Sequence, residues 1–140
     1  MRFLLDTNVL SEAARPEPDS GLAEWLDAQS TLDLCISVLT LGEIRKGVLL
    51  LAEGRKRDRL QRWLRTELTR QFTDRLLPVD EGVALSWGRL AAEGRRSGRR
   101  LPVIDGLLLA TADRYDLTFV TRNESDCGDR GVPVLNPWRS

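Results

Sequence analysis

Histidine is absent from this chain of 140 residues. The absence excludes Ser-His-Asp and Cys-His triads, histidine general bases and the usual catalytic zinc sites, because all of them need an imidazole. Any chemistry must therefore use carboxylates, hydroxyls or arginine side chains.

Cysteines and long apolar runs are scarce as well. Cys35 and Cys127 lack metal-type spacing, so we interpret Cys35 as a small buried residue and Cys127 as a loop thiol, both reduced. No stretch approaches the roughly 20 apolar residues that span a bilayer, and Met1-Arg2 leads into a strand-like segment without signal-peptide features. We expect a soluble cytoplasmic protein with one domain, residues 1–140.

Charge of neither sign is in excess, with 21 basic and 21 acidic residues, but the basic residues are unevenly distributed. Arginines and one lysine cluster at residues 55–70, and a second group consists of Arg95, Arg96, Arg99 and Arg100. Each group is consistent with a solvated helix face or with contacts to nucleic-acid phosphates. We assign possible RNA binding to Arg96 and Arg99.

Three carboxylates adjoin apolar segments. Asp6 ends Phe3-Leu4-Leu5, Glu43 lies within the segment 38–48, and Asp105 precedes the segment 106–112. Several buried negative charges are costly unless a cation neutralises them. If the three segments form one core, the acids converge, and the pattern favours a bound divalent metal.

Each acid also has a purely structural interpretation. Asp6 is suited to cap a helix, Glu43 follows Thr40 at the spacing of a capping box, and Asp105 lies in a first helical turn, where a carboxylate interacts favourably with the helix dipole. Three separate structural roles would each have to offset the cost of burying one carboxylate. One shared metal ion offsets this cost for all three. Oxygen ligands select Mg²⁺ or Mn²⁺, and such an ion lowers the pKa of bound water for phosphodiester hydrolysis.

Strands and helices are predicted to alternate. We expect strands at 2–5, 32–37, 76–79, 117–121 and 132–135, and helices at 9–14, from Asp19 or Ser20 onward, at 38–52, 56–72, 81–93 and 102–115. Ser37 and Thr40 are both suited to cap the helix at 38–52, and a basic loop is expected at 95–100. This order predicts an α/β fold whose central, mainly parallel sheet is flanked by helices on both faces.

The ligand site of such a sheet lies beyond the carboxyl ends of its strands. Asp6 and the polar loop after Thr121 both follow strands directly, so they are expected at the same edge. A fourth ligand is expected from that loop, where Thr121, Asn123 and Asp126 are stronger candidates than Glu124 and Asp129.

Five motifs, in this order and spacing, resemble PIN-domain ribonucleases of the VapC type, in the style of the FitB-like branch. They are LLDTNVLSE, ISVLTLGEIRKGV, IDGLLLATA, FVTRN and PVLNPW, and together they cover essentially the whole chain. The resemblance implies a PIN-like fold and a Mg²⁺- or Mn²⁺-dependent endoribonuclease that is the toxin of a type II toxin-antitoxin pair.

The resemblance also assigns residues. It maps the acidic set onto Asp6, Glu43 and Asp105, and it leaves the fourth position between Asn123, where some relatives carry aspartate, and Asp126, which matches an acid placed three residues later. Further polar residues that orient ligands or water would be Thr7, Asn8 and Thr121. Trp138, in the terminal motif, is interpreted as a packing residue.

The resemblance implies three kinds of partner besides RNA. They are a second copy of the chain in a homodimer, a small antitoxin that blocks the acidic groove, and operator DNA that the antitoxin binds in a higher complex. The alternatives are a non-catalytic PIN-like module that binds RNA or protein, and a nuclease acting on DNA.

Overall fold

A computed structural model describes residues 1–139, and Ser140, the last residue of the predicted domain 1–140, lies outside the described residues. Strands and helices alternate along most of the chain. In order, the elements are β1 (Phe3–Leu5), α1 (Thr7–Ala13), α2 (Ser20–Ala28), a 3₁₀ turn (Thr31–Asp33), β2 (Leu34–Ser37), α3 (Val38–Leu49), α4 (Arg55–Arg62), a π-helical segment (Trp63–Leu68), α5 (Thr69–Gln71), β3 (Leu76–Leu77), α6 (Glu81–Ser97), α7 (Val103–Arg114), β4 (Thr118–Val120), α8 (Glu124–Cys127) and β5 (Val134–Leu135).

The five strands form one sheet in the order β3-β2-β1-β4-β5, and every neighbouring pair is parallel. In the central strand β1, Leu4 lies opposite Cys35 of β2 and Phe119 of β4. Helices return the chain between successive strands, as parallel pairing requires. The predicted parallel sheet is confirmed.

The two faces of the sheet are covered by different helices. Phe3 and Leu5 point to a core formed with α1, α2, α3 and the helical stretch 55–71. Leu4 points to a second core, formed with α6 and α7. The prediction of helices on both faces is therefore confirmed. Among residues 1–139, no helix combines the length and apolarity needed to cross a membrane.

Side-chain caps begin several helices as the sequence predicts. Asp6 accepts a hydrogen bond from the Thr7 amide at 2.7 Å and caps α1, Asp19 caps α2, and Ser37 caps α3. The alternative prediction, that Thr40 caps α3, is wrong. This residue lies inside α3, and its Oγ1 atom is buried without a hydrogen-bond partner among the described residues.

Helix α3 ends at Leu49, so the predicted end at Ala52 is wrong. The amides of Leu50 and Leu51 already bond back to the carbonyls of Lys46 and Val48 and close the last turn. Gly54 then adopts a φ of 154°, which side-chain-bearing residues rarely adopt. The apolar residues continue to Ala52, but the helix has already ended at Leu49, so apolar character alone predicts too late an end.

The predicted amphipathic helix at 56–72 is present as a continuous helical stretch, residues 55–71. Leu64, Leu68 and Phe72 are buried on its apolar side. The segment Trp63–Leu68 is π-helical, and the Thr69 hydroxyl donates to the Leu64 carbonyl at 2.7 Å. Nothing in the residue spacing predicts this local widening.

The predicted basic loop is wrong in its first half, because Arg95 and Arg96 belong to α6, which ends at Ser97. Arginine is a good helix former, so a run of positive charge does not by itself end a helix. The helix ends where Gly98 adopts a left-handed φ of 73°.

Cys127 is not the loop thiol that the sequence predicts. It ends the short helix α8 and is 1% exposed, whereas Cys35, also buried, agrees with its prediction. Both cysteines are free thiols. The polar residues around Cys127 suggest a solvated loop, but the short helix turns this one apolar side chain inward.

Candidate active site

Two neighbouring parallel strands deliver polar side chains to the same edge of the sheet. Asp6 follows β1 and Thr121 follows β4, and the Asp6 amide donates to the Val120 carbonyl at 2.9 Å. The Thr121 hydroxyl donates to Asp6 Oδ2 at 2.7 Å. The predicted convergence of these two chain segments is present.

The Asp6 carboxylate is held from several sides, and the residue as a whole is only 7% exposed. Its Oδ1 atom accepts the Thr7 amide at 2.7 Å. The Asn8 side-chain amide lies 3.3 Å from both Asp6 Oδ2 and Thr121 Oγ1, so it bridges the two strand ends. These contacts fix the orientation of the carboxylate.

Glu43 reaches the same region from α3. Its Oε1 atom accepts a hydrogen bond from the Thr7 hydroxyl at 2.5 Å, across 36 residues of sequence. The capping-box interpretation of Glu43 is therefore wrong, because Ser37, not Thr40, begins the helix and the carboxylate is bonded to α1 instead. Thr7 contacts both Asp6 and Glu43 and sets their relative position.

Electrostatics link these acids to a third, Asp105, which is partly buried in the first turn of α7. Burial raises the pKa of Asp6 to about 6; hydrogen bonds from Thr121 and Thr7 oppose the increase, and the charges of Asp105 and Glu43 add to it. Burial also raises the pKa of Asp105, with further contributions from Glu43 and Asp126. The three acids share one region of negative potential.

The two candidates for the fourth position lie on α8 and at its start. Asp126 is exposed on α8, and its charge raises the pKa of Asp105. Asn123 precedes the helix and bonds Thr121 Oγ1 through its backbone amide at 3.0 Å, while its side chain makes no hydrogen bond to a described residue. Asp126 interacts with the acidic set through charge, and Asn123 interacts through its backbone.

Cys127 is the residue near this site that sequence reasoning missed. Burial raises the pKa of its thiol to about 12, and the charges of Asp105 and Asp6 add to the effect. The thiol is therefore a neutral, inert part of the wall beside the acids. The sequence offers one general indication of this burial, because free cysteine is among the most buried residue types.

The side chains around Asp6 offer oxygen ligands, which suit a hard divalent cation. Within residues 1–139, no three acidic or cysteine side chains form a group that could hold a metal ion as they stand. Magnesium nevertheless keeps several waters and needs only one or two carboxylates, and a buried carboxylate beside two others is stabilised by a cation. The all-oxygen donor set around Asp6 is compatible with such an ion.

The two arginines selected from the sequence have different surroundings. Arg96 is exposed and makes no ion pair or hydrogen bond to a described residue. Arg99 is partly buried, and its Nη2 atom donates to the carbonyls of Ser125 and Gly128, both at 3.2 Å. Arg99 thus fixes the α8 segment, whereas Arg96 is available to a ligand.

Trp138 packs against the core on the α1 side of the sheet, as its packing interpretation predicts. The Arg122 guanidinium lies 5.7 Å from the centroid of the Trp138 ring. This contact anchors the C-terminal segment beside the strand end that carries Thr121.

Fold and site together match one known family. The family model described as "PIN domain" matches residues 3–125. The chain is 37% identical over 136 residues to Toxin FitB of Neisseria gonorrhoeae, with 97% of this chain and 98% of the relative covered. It is 34% identical over 136 residues to VapC ribonuclease Y4jK of Sinorhizobium fredii, with 97% of each covered. The chain belongs to the PIN-domain family, in the FitB-like branch of its VapC group.

Solved structures agree with this assignment. The crystal structure of FitAcB from Neisseria gonorrhoeae matches with a TM-score of 0.92 and 36% identity, covering 99% of each chain. A structure of FitAB bound to an IR36 DNA fragment matches with a TM-score of 0.92 and 35% identity, covering 99% of this chain and 96% of that one. The predicted PIN-like fold is confirmed.

Proposed function

We propose that the protein is a Mg²⁺- or Mn²⁺-dependent endoribonuclease and the toxin of a type II toxin-antitoxin pair. The observation that carries the proposal is Asp6, which is 7% exposed and whose carboxylate shares its surroundings with the charges of Asp105 and Glu43. The relatives named as a toxin and as a ribonuclease support the same class.

In this proposal, Asp6, Glu43 and Asp105 would hold the ion, and Asp126 would add charge near Asp105. A bound divalent ion supplies an activated water and offsets charge that develops on the phosphoryl oxygens. No histidine is then needed as a base.

The polar residues around the acids keep the donor set in place. Thr7 binds both Asp6 and Glu43, and Thr121 binds Asp6, so the carboxylates of Asp6 and Glu43 are oriented before substrate arrives. Asn8 ties the two strand ends together, and Asn123 fixes the Thr121 hydroxyl through its backbone amide. Such preorganisation lowers the reorganisation cost of the reaction.

The proposed partners follow from the relatives. The structure of FitAB with a DNA fragment supports a cognate antitoxin and a DNA partner. We propose that this antitoxin blocks the acidic site and binds operator DNA. An antitoxin arginine paired with the carboxylates would account for inhibition. We further propose a homodimer, a higher complex with the antitoxin, residues 1–140 as one domain, and action in the cytoplasm.

Arg96 and Arg99 are proposed to assist RNA binding. Arg96 is free to contact a phosphate, and Arg99 contributes mainly by fixing the α8 segment. For the Arg96→Gln variant, the slope of log binding constant against log salt concentration should become less steep by about 0.7. This is the value expected for one phosphate contact to a single strand. An unchanged slope would remove Arg96 from the RNA surface.

Metal removal tests the proposed reaction. Purified protein should cleave members of an RNA panel with Mg²⁺ or Mn²⁺ and lose that cleavage in EDTA, because the proposed ion supplies both the activated water and the charge that offsets the phosphoryl oxygens. Saturating Mn²⁺ added back should restore the rate. Gel analysis of the same panel, with matched DNA strands included, measures both effects and the choice of polymer.

Other outcomes favour the alternatives. Cleavage that persists in EDTA contradicts a metal-dependent mechanism. RNA binding without cleavage, and without a saturable effect of Mn²⁺ on thermal stability, indicates a non-catalytic binding module. Preferential cleavage of the DNA strands indicates a DNA-directed nuclease.

A further inference from the structure

A cavity of about 200 Å³ lies between α6 and the start of α7. Its apolar lining comes from Leu90, Ala91 and Leu101, and Trp87 adds an aromatic ring. Pockets for drug-sized ligands are typically about 300 Å³ or larger, so this cavity is suited to a single ring system.

The backbone turn after α6 brings Arg100 back beside Arg95, which lies in the last turn of that helix. Gly98 adopts a left-handed φ of 73°, and the Arg99 amide bonds back to the Gly94 carbonyl at 2.8 Å. A Cβ atom at Gly94 would lie 2.7 Å from the Arg99 carbonyl oxygen, so the close return requires glycine there. Arg95 and Arg100 consequently line the same cavity.

Further hydrogen bonds hold this turn in place. Arg130 Nη1 donates to the Arg99 carbonyl at 2.7 Å, and Arg99 Nη2 donates to the Ser125 and Gly128 carbonyls at 3.2 Å. The turn is therefore tied to the α8 segment, which also carries Asp126. The backbone positions of Arg95 and Arg100 are therefore fixed by the fold.

The polar groups of the cavity have no partners within residues 1–139. Neither the Arg95 nor the Arg100 side chain forms an ion pair or hydrogen bond to a described residue, and the Trp87 indole N–H donates to none. Trp87 is only partly buried and its indole N–H is not sealed from solvent, so a ligand in the cavity can reach it. An anionic ligand with a planar ring would use all three groups.

The cavity adjoins the acidic site through α7. A Cβ atom at Gly106 would lie 3.2 Å from both Trp87 Cδ1 and Nε1, so the indole ring lies against the first turn of α7. The preceding residue, Asp105, belongs to the acidic set. The cavity and the acidic set are therefore neighbours along the first turn of α7.

We propose that this cavity binds one nucleotide of the RNA substrate beside the cleaved phosphodiester, with its base against Trp87 and its flanking phosphates on Arg95 and Arg100. The inference rests on the proposed nuclease function. Bases stack on aromatic side chains, and guanidinium groups bind phosphates bidentately. Positive charge beside the carboxylates also offsets their repulsion of the RNA backbone.

Equilibrium binding of a short fluorescent single-stranded RNA in EDTA tests the proposal, because it requires neither metal nor cleavage. The double variant Arg95→Gln/Arg100→Gln should bind about 10-fold more weakly, and its salt slope should fall by about 1.4, twice the value of one phosphate contact. The Trp87→Leu variant should bind RNA at least about fivefold more weakly than wild type. Trp87→Phe should lose much less affinity, because only phenylalanine retains a ring for stacking.

The matched control is Arg65→Gln/Arg70→Gln, which makes the same charge change on exposed helical positions outside the cavity. If both double variants lost RNA affinity equally, the loss would reflect the overall charge of the protein and not the cavity, and the proposal would be overturned. Unchanged RNA affinity together with altered sedimentation would assign the cavity to a protein interface and also overturn it.

The nuclease proposal fails separately. If the wild-type protein cleaves RNA with Mn²⁺ but the cavity variants bind RNA normally, the nucleotide site is wrong and the nuclease remains. If the variants lose RNA binding as expected but the wild-type protein never cleaves, the cavity is an RNA site and the nuclease proposal is wrong.

Discussion

Asp6→Asn is expected to lower metal-dependent RNA cleavage at least about 100-fold, the scale of losing one essential electrostatic contact at a reacting phosphoryl group. The substitution removes one charge and keeps the shape of the side chain. Asparagine is also a good helix cap, so α1 should still begin at Thr7. Initial cleavage rates at saturating Mn²⁺, on one RNA of the panel, measure the loss.

An exposed acid provides the matched control for this variant. Asp27→Asn makes the same chemical change on α2, where the side chain is exposed and has no described partner. It should cleave at the wild-type rate. If Asp6→Asn kept more than about a tenth of that rate, Asp6 would be a helix cap rather than part of the reaction.

The same substitution should stabilise the metal-free protein at neutral pH. Folding raises the pKa of Asp6 from 3.8 to about 6, which corresponds to a cost of about 3 kcal/mol once the carboxylate is ionised. Asparagine carries no charge and avoids this cost. Urea unfolding of both proteins in EDTA at pH 7 gives the difference in free energy of unfolding.

The pH dependence gives the sign of this effect independently. Well below pH 3.8 the carboxyl group is protonated in both the folded and the unfolded chain, so it carries no penalty. As pH rises through the window from 3.8 to about 6, the unfolded chain releases its proton first and the folded state loses stability. Wild type should lose more stability across this window than Asp6→Asn.

Asp105→Asn serves as a second variant, because burial also raises the pKa of Asp105. It should stabilise the metal-free protein in the same direction. A metal-free Asp6→Asn or Asp105→Asn protein that unfolds at lower urea than wild type would show that the hydrogen bonds or helix-dipole contacts of the carboxylate outweigh its desolvation. That acid would then be structural.

The sequence predicts the parallel sheet and the edge of the site well, because these depend on local patterns. The apolar residues before Asp6 and Thr121 specify short buried strands, and parallel pairing then brings both strand ends together. The caps Asp6, Asp19 and Ser37 also depend on a few neighbouring residues. Prediction succeeds where the determining contacts are near in sequence.

Long-range contacts account for most errors. The local capping-box pattern of Thr40 and Glu43 is overridden by the Thr7 hydroxyl, which lies 36 positions from Glu43 in sequence. The burial of Cys127 depends on its packing in the core that α6 and α7 form, where the charges of Asp105 and Asp6 also reach its thiol. Neither contact has a signature in the neighbouring residues.

Two helix boundaries show the limits of composition as a signal. The arginines at the end of α6 were assigned to a loop because of their charge, but helix propensity and the left-handed Gly98 determine the end. At the end of α3, the apolar run continues beyond the last helical residue, Leu49. For α6, the glycine at position 98 is a better sequence signal for the helix end than the charge of the arginines, because glycine readily adopts the left-handed conformation found there.

The central claim is that Asp6 and its acidic neighbours hold a hard divalent ion. Anomalous diffraction from a crystal soaked in Mn²⁺ tests it most directly. The account predicts one or more manganese peaks within about 2.0–2.5 Å of carboxylate oxygens of Asp6 and at least one of Asp105 and Glu43. Peaks confined to other parts of the surface, or none at saturating Mn²⁺, would contradict it.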